Sequence, residues 1–358
     1  MRVDSPRLRQ NNFDLIRLLL AIAVCLLHAY ELSARDELSI IDKLLSGKIA
    51  IESFFVISGF LIFMSYEKSR SLVDYFEKRG RRIYPAYFVS VALAAVLLCG
   101  LSELSVASYF RSDEFFRYLV FNLGFLNFIQ PDLPGVFAEN RISSVNGALW
   151  TIKIEVMFYL SVPAIAWLSR RAGYARVMLM LFVASTLYSM AMSHLHESTG
   201  RGVYELLEKQ LPGQLRFFIA GALLYYFLPY YERHLKWLVL ASGMYFLLPV
   251  TSGAEALKPL ALGVLVIFFA LYNYLGNFGK FGDFSYGVYI LHFPIVQTLV
   301  HLGFFDADPW LALALTVSLT LLGAVLMWHC VERRWLLKNS HYVRAQDGMA
   351  QLADKTNA

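Results

Sequence analysis

Ten apolar runs recur along the chain, at 13–32, 48–66, 84–101, 148–168, 174–192, 213–229, 235–250, 255–273, 283–303 and 310–330. Each comes near the ~20 residues a helix needs to cross a bilayer. A backbone in lipid finds no water for its N–H and C=O groups, so a chain with this pattern must satisfy them internally. Composition agrees: 58% of residues are hydrophobic and 16% charged, at a mean hydropathy of +0.51, where a soluble chain carries about 25% charged residues. The expectation is an all-α integral membrane protein, with one transmembrane domain over residues 1–338 and no sizeable soluble domain. No small-residue cleavage site ends the first run, which reads as a retained span. Cys25, Cys99 and Cys330 lie in or at the ends of apolar segments at unrelated spacings, which suggests neither a disulfide framework nor a metal site.

Basic residues set the expected topology. Lys and Arg in short loops mark the cytoplasmic side, and they cluster at Arg2, Arg7 and Arg9; at Lys68, Arg70, Lys78, Arg79, Arg81 and Arg82; at Arg170, Arg171 and Arg176; and at Arg333, Arg334 and Lys338. An even number of crossings must separate Arg82 from Arg170. The runs 84–101 and 148–168 satisfy that parity, and a full span at 115–130 would break it. The segment 115–130 is therefore expected to be interfacial or re-entrant on the outer side. That leaves about ten spans with both termini inside and a polar cytoplasmic tail at 339–358. The net charge of +5 follows from these between-span clusters and does not indicate nucleic-acid binding.

Ionisable groups inside spans are costly and mark functional sites. Arg17 and His28 are eleven residues apart in the first run, which at about 100° per residue puts them on one helix face, roughly 16 Å apart along the axis. Arg17 falls in the cytoplasmic half and His28 in the outer half. A snorkelling Arg17 and a structural His28 are the competing readings, and the shared face favours function.

Four further blocks accompany this pair in order. They are SFFVISGFLI at 53–62; KRGRRIYPAYF at 78–88, carrying Arg79, Arg82, Ile83 and Pro85; LWTIKIEVMFYL at 149–160, carrying Trp150 and Glu155; and FSYGVYILHFPI at 284–295, carrying His292. Together with the Arg, ten residues, His pattern, they resemble the acyltransferase-3 family of membrane-bound O-acyltransferases over about residues 12–336. The resemblance implies acyl transfer in a bacterial inner (cytoplasmic) membrane, with acetyl-CoA as donor, no metal, and a saccharide acceptor such as exopolysaccharide or O-antigen. It also implies that this chain lacks the periplasmic domain fused to some members.

Acyl transfer to an alcohol needs a bound activated donor, a base and stabilisation of the tetrahedral oxyanion. Arg79 and Arg82 are candidates for the phosphates of coenzyme A, since guanidinium forks match phosphate; positive-inside anchoring explains their charge equally well. Arg17 is a candidate to grip the donor or polarise its thioester. His28 is the candidate base, because an imidazole ordinarily titrates near neutrality. Glu155, at about the depth of His28, would orient the imidazole or bind the sugar, unless it serves as a structural partner. His292, Arg216 and Trp150 are candidates for the acceptor, with helix packing as the alternative for His292. A covalent acyl-His and direct transfer both remain open.

Other signatures fail. The stretch Gly282-Asp283-Phe284-Ser285-Tyr286-Gly287 misses the G-x-S-x-G elbow by one position. No HExxH occurs. His301 and Asp306 have the His-x4-Asp spacing of glycerolipid acyltransferases, but at the expected outer end of a span, and are read as coincidence. Two alternatives stand beside acetyl transfer: a transporter or flippase for a saccharide intermediate, against which the chain lacks a convincing internal repeat, and succinyl transfer on the same scaffold. Oligomeric state is not legible.

Overall fold

The structure, a computed structural model, describes residues 3, 5–249, 254–337 and 340. The expected polar tail at 339–358 lies, Ser340 apart, outside them. All regular structure among the described residues is helical. The main helices are α1 (Phe13–Ser33), α2 (Gly47–Lys68), α3 (Leu72–Leu97), α4 (Asp113–Leu123), α5 (Trp150–Ala172), α6 (Tyr174–Thr199), α7 (Leu211–Tyr226), α8 (Leu228–Leu247), α9 (Lys258–Leu271), α10 (Ser285–His301) and α11 (Pro309–Met327). A helix thus occupies each of the ten apolar runs. Seven are long and apolar enough to cross a membrane, counting the short 3-10 and π turns that extend some of them; a further pair, with α7 and α8, meets the test together but bends by 108° at Phe227. Large apolar side chains lie exposed on the outer faces, among them Leu179, Met180, Leu187, Trp237, Leu311 and Leu322. Helices apolar all round belong in a bilayer or a protein core, and the chain is an all-α multi-pass membrane protein.

Segment 115–130 forms no long helix. α4 has 11 residues, about half a bilayer crossing. It begins at Ser112, whose side chain accepts the Glu114 N–H, and it ends at Gly124. α3 starts twelve residues ahead of the run that announced it. Its charged first half, Leu72–Arg82, is also helical, and Glu77 and Arg81 pair one turn apart at 2.9 Å, which adds roughly 0.2–0.5 kcal/mol.

The chain divides into two compact units. One comprises residues 1–16, 51–76 and 154–277; the other comprises 17–50, 77–153 and 278–358. In the first unit, aromatic rings fill the core, with Phe158 stacked on Phe218 at 4.3 Å. There α2 and α7 approach through glycines. A Cβ on Gly59 would lie 1.9 Å from the Phe218 carbonyl oxygen, and one on Gly221 would lie 2.0 Å from that of Val56. Small residues of this kind let membrane helices pack backbone to backbone. Gly59→Ala is expected to destabilise the protein by about 3 kcal/mol, the upper end for overpacking, because backbone cannot yield as a side chain can. Gly80→Ala, where nothing lies within 4 Å, serves as the control. Thermal unfolding in detergent checks this, and equal midpoints for the two variants would refute it.

Candidate active site

In the second unit, Pro294 lies inside α10 and supplies no N–H, so the Ile290 carbonyl one turn earlier is released from the helix ladder. Asn146 donates to that carbonyl at 2.8 Å and Ser90 at 3.2 Å. The interruption therefore ties α10 to α3 and to the chain entering α5, and it fixes the turn that carries His292.

His292 is fully buried. Its Nδ1 lies 3.1 Å from the Val288 carbonyl oxygen, and its Nε2 lies 2.8 Å from Nδ1 of His28. A carbonyl only accepts, so Nδ1 of His292 carries the proton; in the neutral ring Nε2 is then an acceptor. Nδ1 of His28 must donate to it, which leaves Nε2 of His28 with its lone pair outward. The hydrogen bonds thus select one tautomer at both rings. Phe293 stands edge-on to His28 with ring centroids 5.1 Å apart. Tyr289 flanks His292 and donates to Thr151 at 2.7 Å, since the Thr151 hydroxyl spends its own proton on the Ala148 carbonyl.

Arg17 and Arg82 meet on a carboxylate that the motif reading passed over. Asp283, buried just before α10, takes Arg17 at 3.0 Å and also pairs with Arg82, both through Oδ2. Its Oδ1 accepts the Ser285 N–H at 3.2 Å and hydroxyl at 2.5 Å. Arg82 donates its other nitrogen to buried Glu332 at 2.6 Å. Two guanidinium groups thus face two carboxylates, which balances the charge in a place that could not tolerate an excess. Arg79 sits half-buried on α3, three residues before Arg82, and Trp150 opens α5.

Glu155 and Arg216 belong to the first unit. Glu155 Oε1 accepts from Tyr159 at 2.5 Å and from Ser58 at 3.3 Å. Arg216 is buried, pairs with Glu208 at 3.5 Å, and its backbone N–H bonds the Ser185 hydroxyl at 2.8 Å. The hydrogen-bond partner of His28 Nδ1 is His292. Asp283 and Glu332 were missed because each stands at the end of an apolar run, where acidic residues read as loop punctuation. Among the described residues no group of three or more His, Cys, Asp or Glu is placed to hold a metal ion.

The chain is thus a helical membrane protein with a hydrogen-bonded histidine pair and an arginine–carboxylate cluster. The family model described as an acyltransferase domain, Acyl_transf_3, matches residues 10–329, and the chain belongs to the acyltransferase-3 family. It is 30% identical over 345 residues to an O-acetyl transferase of Shigella phage Sf6, a match covering 93% of this chain and 98% of the relative. It is 27% identical over 348 residues to nodulation protein 10 of Rhizobium leguminosarum bv. viciae, covering 90% and 92%. No solved structure matches the chain.

Proposed function

We propose that this acyltransferase moves an acetyl group from cytoplasmic acetyl-CoA to a hydroxyl of a saccharide acceptor, an exopolysaccharide or O-antigen intermediate, in a bacterial inner membrane. The observation that carries the reading is the tautomer relay from Val288 through His292 to His28, which presents a lone-pair nitrogen held in place from behind. The phage relative's name, an O-acetyl transferase, supports both the acetyl group and the hydroxyl acceptor.

In this reading His28 Nε2 takes the proton of the acceptor hydroxyl as its oxygen attacks the thioester carbon. The tetrahedral oxyanion then collapses, the carbon–sulfur bond breaks, and the imidazolium returns its proton to the departing thiolate. Arg17, held by Asp283 roughly 16 Å along α1 from His28, supplies positive charge for the cytoplasmic part of the donor and not for the oxyanion. Arg82, which pairs with Asp283 and Glu332, anchors the cluster, and Arg79, three residues before it on α3, and Arg82 face the phosphate end of the donor. Trp150, at the start of α5 in the same unit as the histidine pair, serves the acceptor. The topology has both termini inside, residues 1–338 acting as one membrane domain.

O-acetyl content of the host's surface polysaccharide, measured by NMR in a deletion strain, tests the reading. Acetyl signals are expected to vanish on deletion and return with the wild-type gene. In isolated membranes, labelled acetyl-CoA should label saccharide, with unlabelled succinyl-CoA competing poorly. An unchanged acyl pattern on deletion would remove the proposal.

A further inference from the structure

The first unit carries a second concentration of positive charge that the reaction does not use. Around the turn joining α5 to α6, Arg170, Arg171 and Arg176 line an open cavity of about 650 Å³ together with Tyr174, Tyr226 and Phe227. Arg170 faces Glu67 at 3.5 Å, and the Tyr226 hydroxyl donates to the same carboxylate at 2.9 Å. One acid thus offsets one of three guanidinium groups, which leaves the charge of Arg171 and Arg176 for something from outside. Arg171 is held over the ring of Trp167 at 4.2 Å, so its guanidinium is positioned. The same cavity receives the start of the 26-residue α6, where the N-cap is Gly173 and no acidic residue occupies the first turn. The helix dipole there adds to the positive potential.

The surroundings of this cavity are apolar. Trp167, one turn before Arg170 and Arg171, is 54% exposed, and Leu179, one turn after Arg176, is 60% exposed. A ligand that fits must carry a negative group beside hydrocarbon. We propose that the cavity binds the phosphate of an anionic phospholipid, with Arg171 and Arg176 on the phosphate oxygens and the acyl chains along the exposed faces of α5 and α6. Guanidinium forks match a phosphate's paired oxygens, and basic pockets between membrane helices are suited to lipid head groups.

The test uses the full chain purified into nanodiscs, with retained lipid counted by native mass spectrometry against mixed dioleoyl phosphatidylglycerol and phosphatidylcholine. Wild type should retain phosphatidylglycerol selectively. The double variant Arg171→Gln/Arg176→Gln, which leaves the Arg170–Glu67 pair intact, should lower that preference about 25-fold, since each arginine near the surface contributes about fivefold. Its melting midpoint in phosphatidylcholine alone should stay unchanged. Arg111→Gln/Arg117→Gln, removing two exposed arginines elsewhere, should leave the preference intact. Equal loss in both double variants would reduce the effect to general surface charge and overturn the site. Displacement of phosphatidylglycerol by coenzyme A, lost with Arg171 and Arg176, would assign the cavity to the nucleotide end of a donor instead and equally overturn it.

Discussion

His28→Ala should lower the rate of acyl transfer in purified protein by roughly 10²- to 10⁴-fold, the range a positioned general base supplies, with a stability loss of no more than the ~1–3 kcal/mol of the acceptor it leaves unpaired on His292. The expectation rests on the proton inventory of the histidine pair. Val288 fixes the proton on Nδ1 of His292, His292 accepts from Nδ1 of His28, and Nε2 of His28 is left to accept. His292→Leu removes the acceptor behind His28 without removing the base. It should therefore cost less, on the order of tenfold, the worth of one neutral hydrogen bond in a barrier. The ratio between these two losses separates a base from a packing residue. If both variants lost activity equally and both melted early, the pair would be scaffold. A His28→Ala protein transferring acetyl near the wild-type rate would place the base elsewhere.

The helices were legible because lipid imposes one strong rule on sequence, a long run with little charge, and all ten runs carry a helix; but among the described residues seven, or eight with the bent α7–α8 pair as one span, and not ten, are long and apolar enough to cross. The early start of α3 was not legible, since Leu72–Arg82 has the charge density of a loop, yet the helix runs through it with an i,i+4 pair such as Glu77–Arg81 on its exposed face. Parity of basic loops separated 115–130 from the spans, and α4 is indeed only 11 residues long. The site was half legible. Arg17 and His28 declare themselves because an ionisable group in an apolar run is conspicuous, and so does His292. That His28 and His292 form one relay was not readable, because 264 positions separate them and nothing in either segment specifies the other. Asp283 was invisible for the opposite reason. A carboxylate ahead of a helix is an ordinary capping residue, and only the arrival of Arg17 and Arg82 from distant helices makes it the hub of the cluster.

That hub predicts the other large effect. Asp283→Asn keeps the shape and the capacity to accept from Ser285 but removes one negative charge, so Arg17 and Arg82 lose the carboxylate they share. Removing one partner of a buried ion pair costs about 3–5 kcal/mol, because the remaining charge is stranded where water cannot reach it, and unfolding in detergent should show that loss. Arg82→Gln alone should be destabilising for the mirror-image reason, as it strands Glu332 and half of Asp283. The double variant Asp283→Asn/Arg82→Gln removes opposite charges together, so it should lose less than the two singles summed, with a coupling of about 0.5–3 kcal/mol for residues in one network. Additive losses would mean that the pairs contribute nothing beyond packing. Activity discriminates a second time. If Asp283 acts by holding Arg17, a double variant that recovers most of its stability should remain slow, because the neutral amide at 283 no longer fixes the guanidinium on α1. A double variant that recovers stability and rate together would show that the cluster holds the fold and that Arg17 works without it.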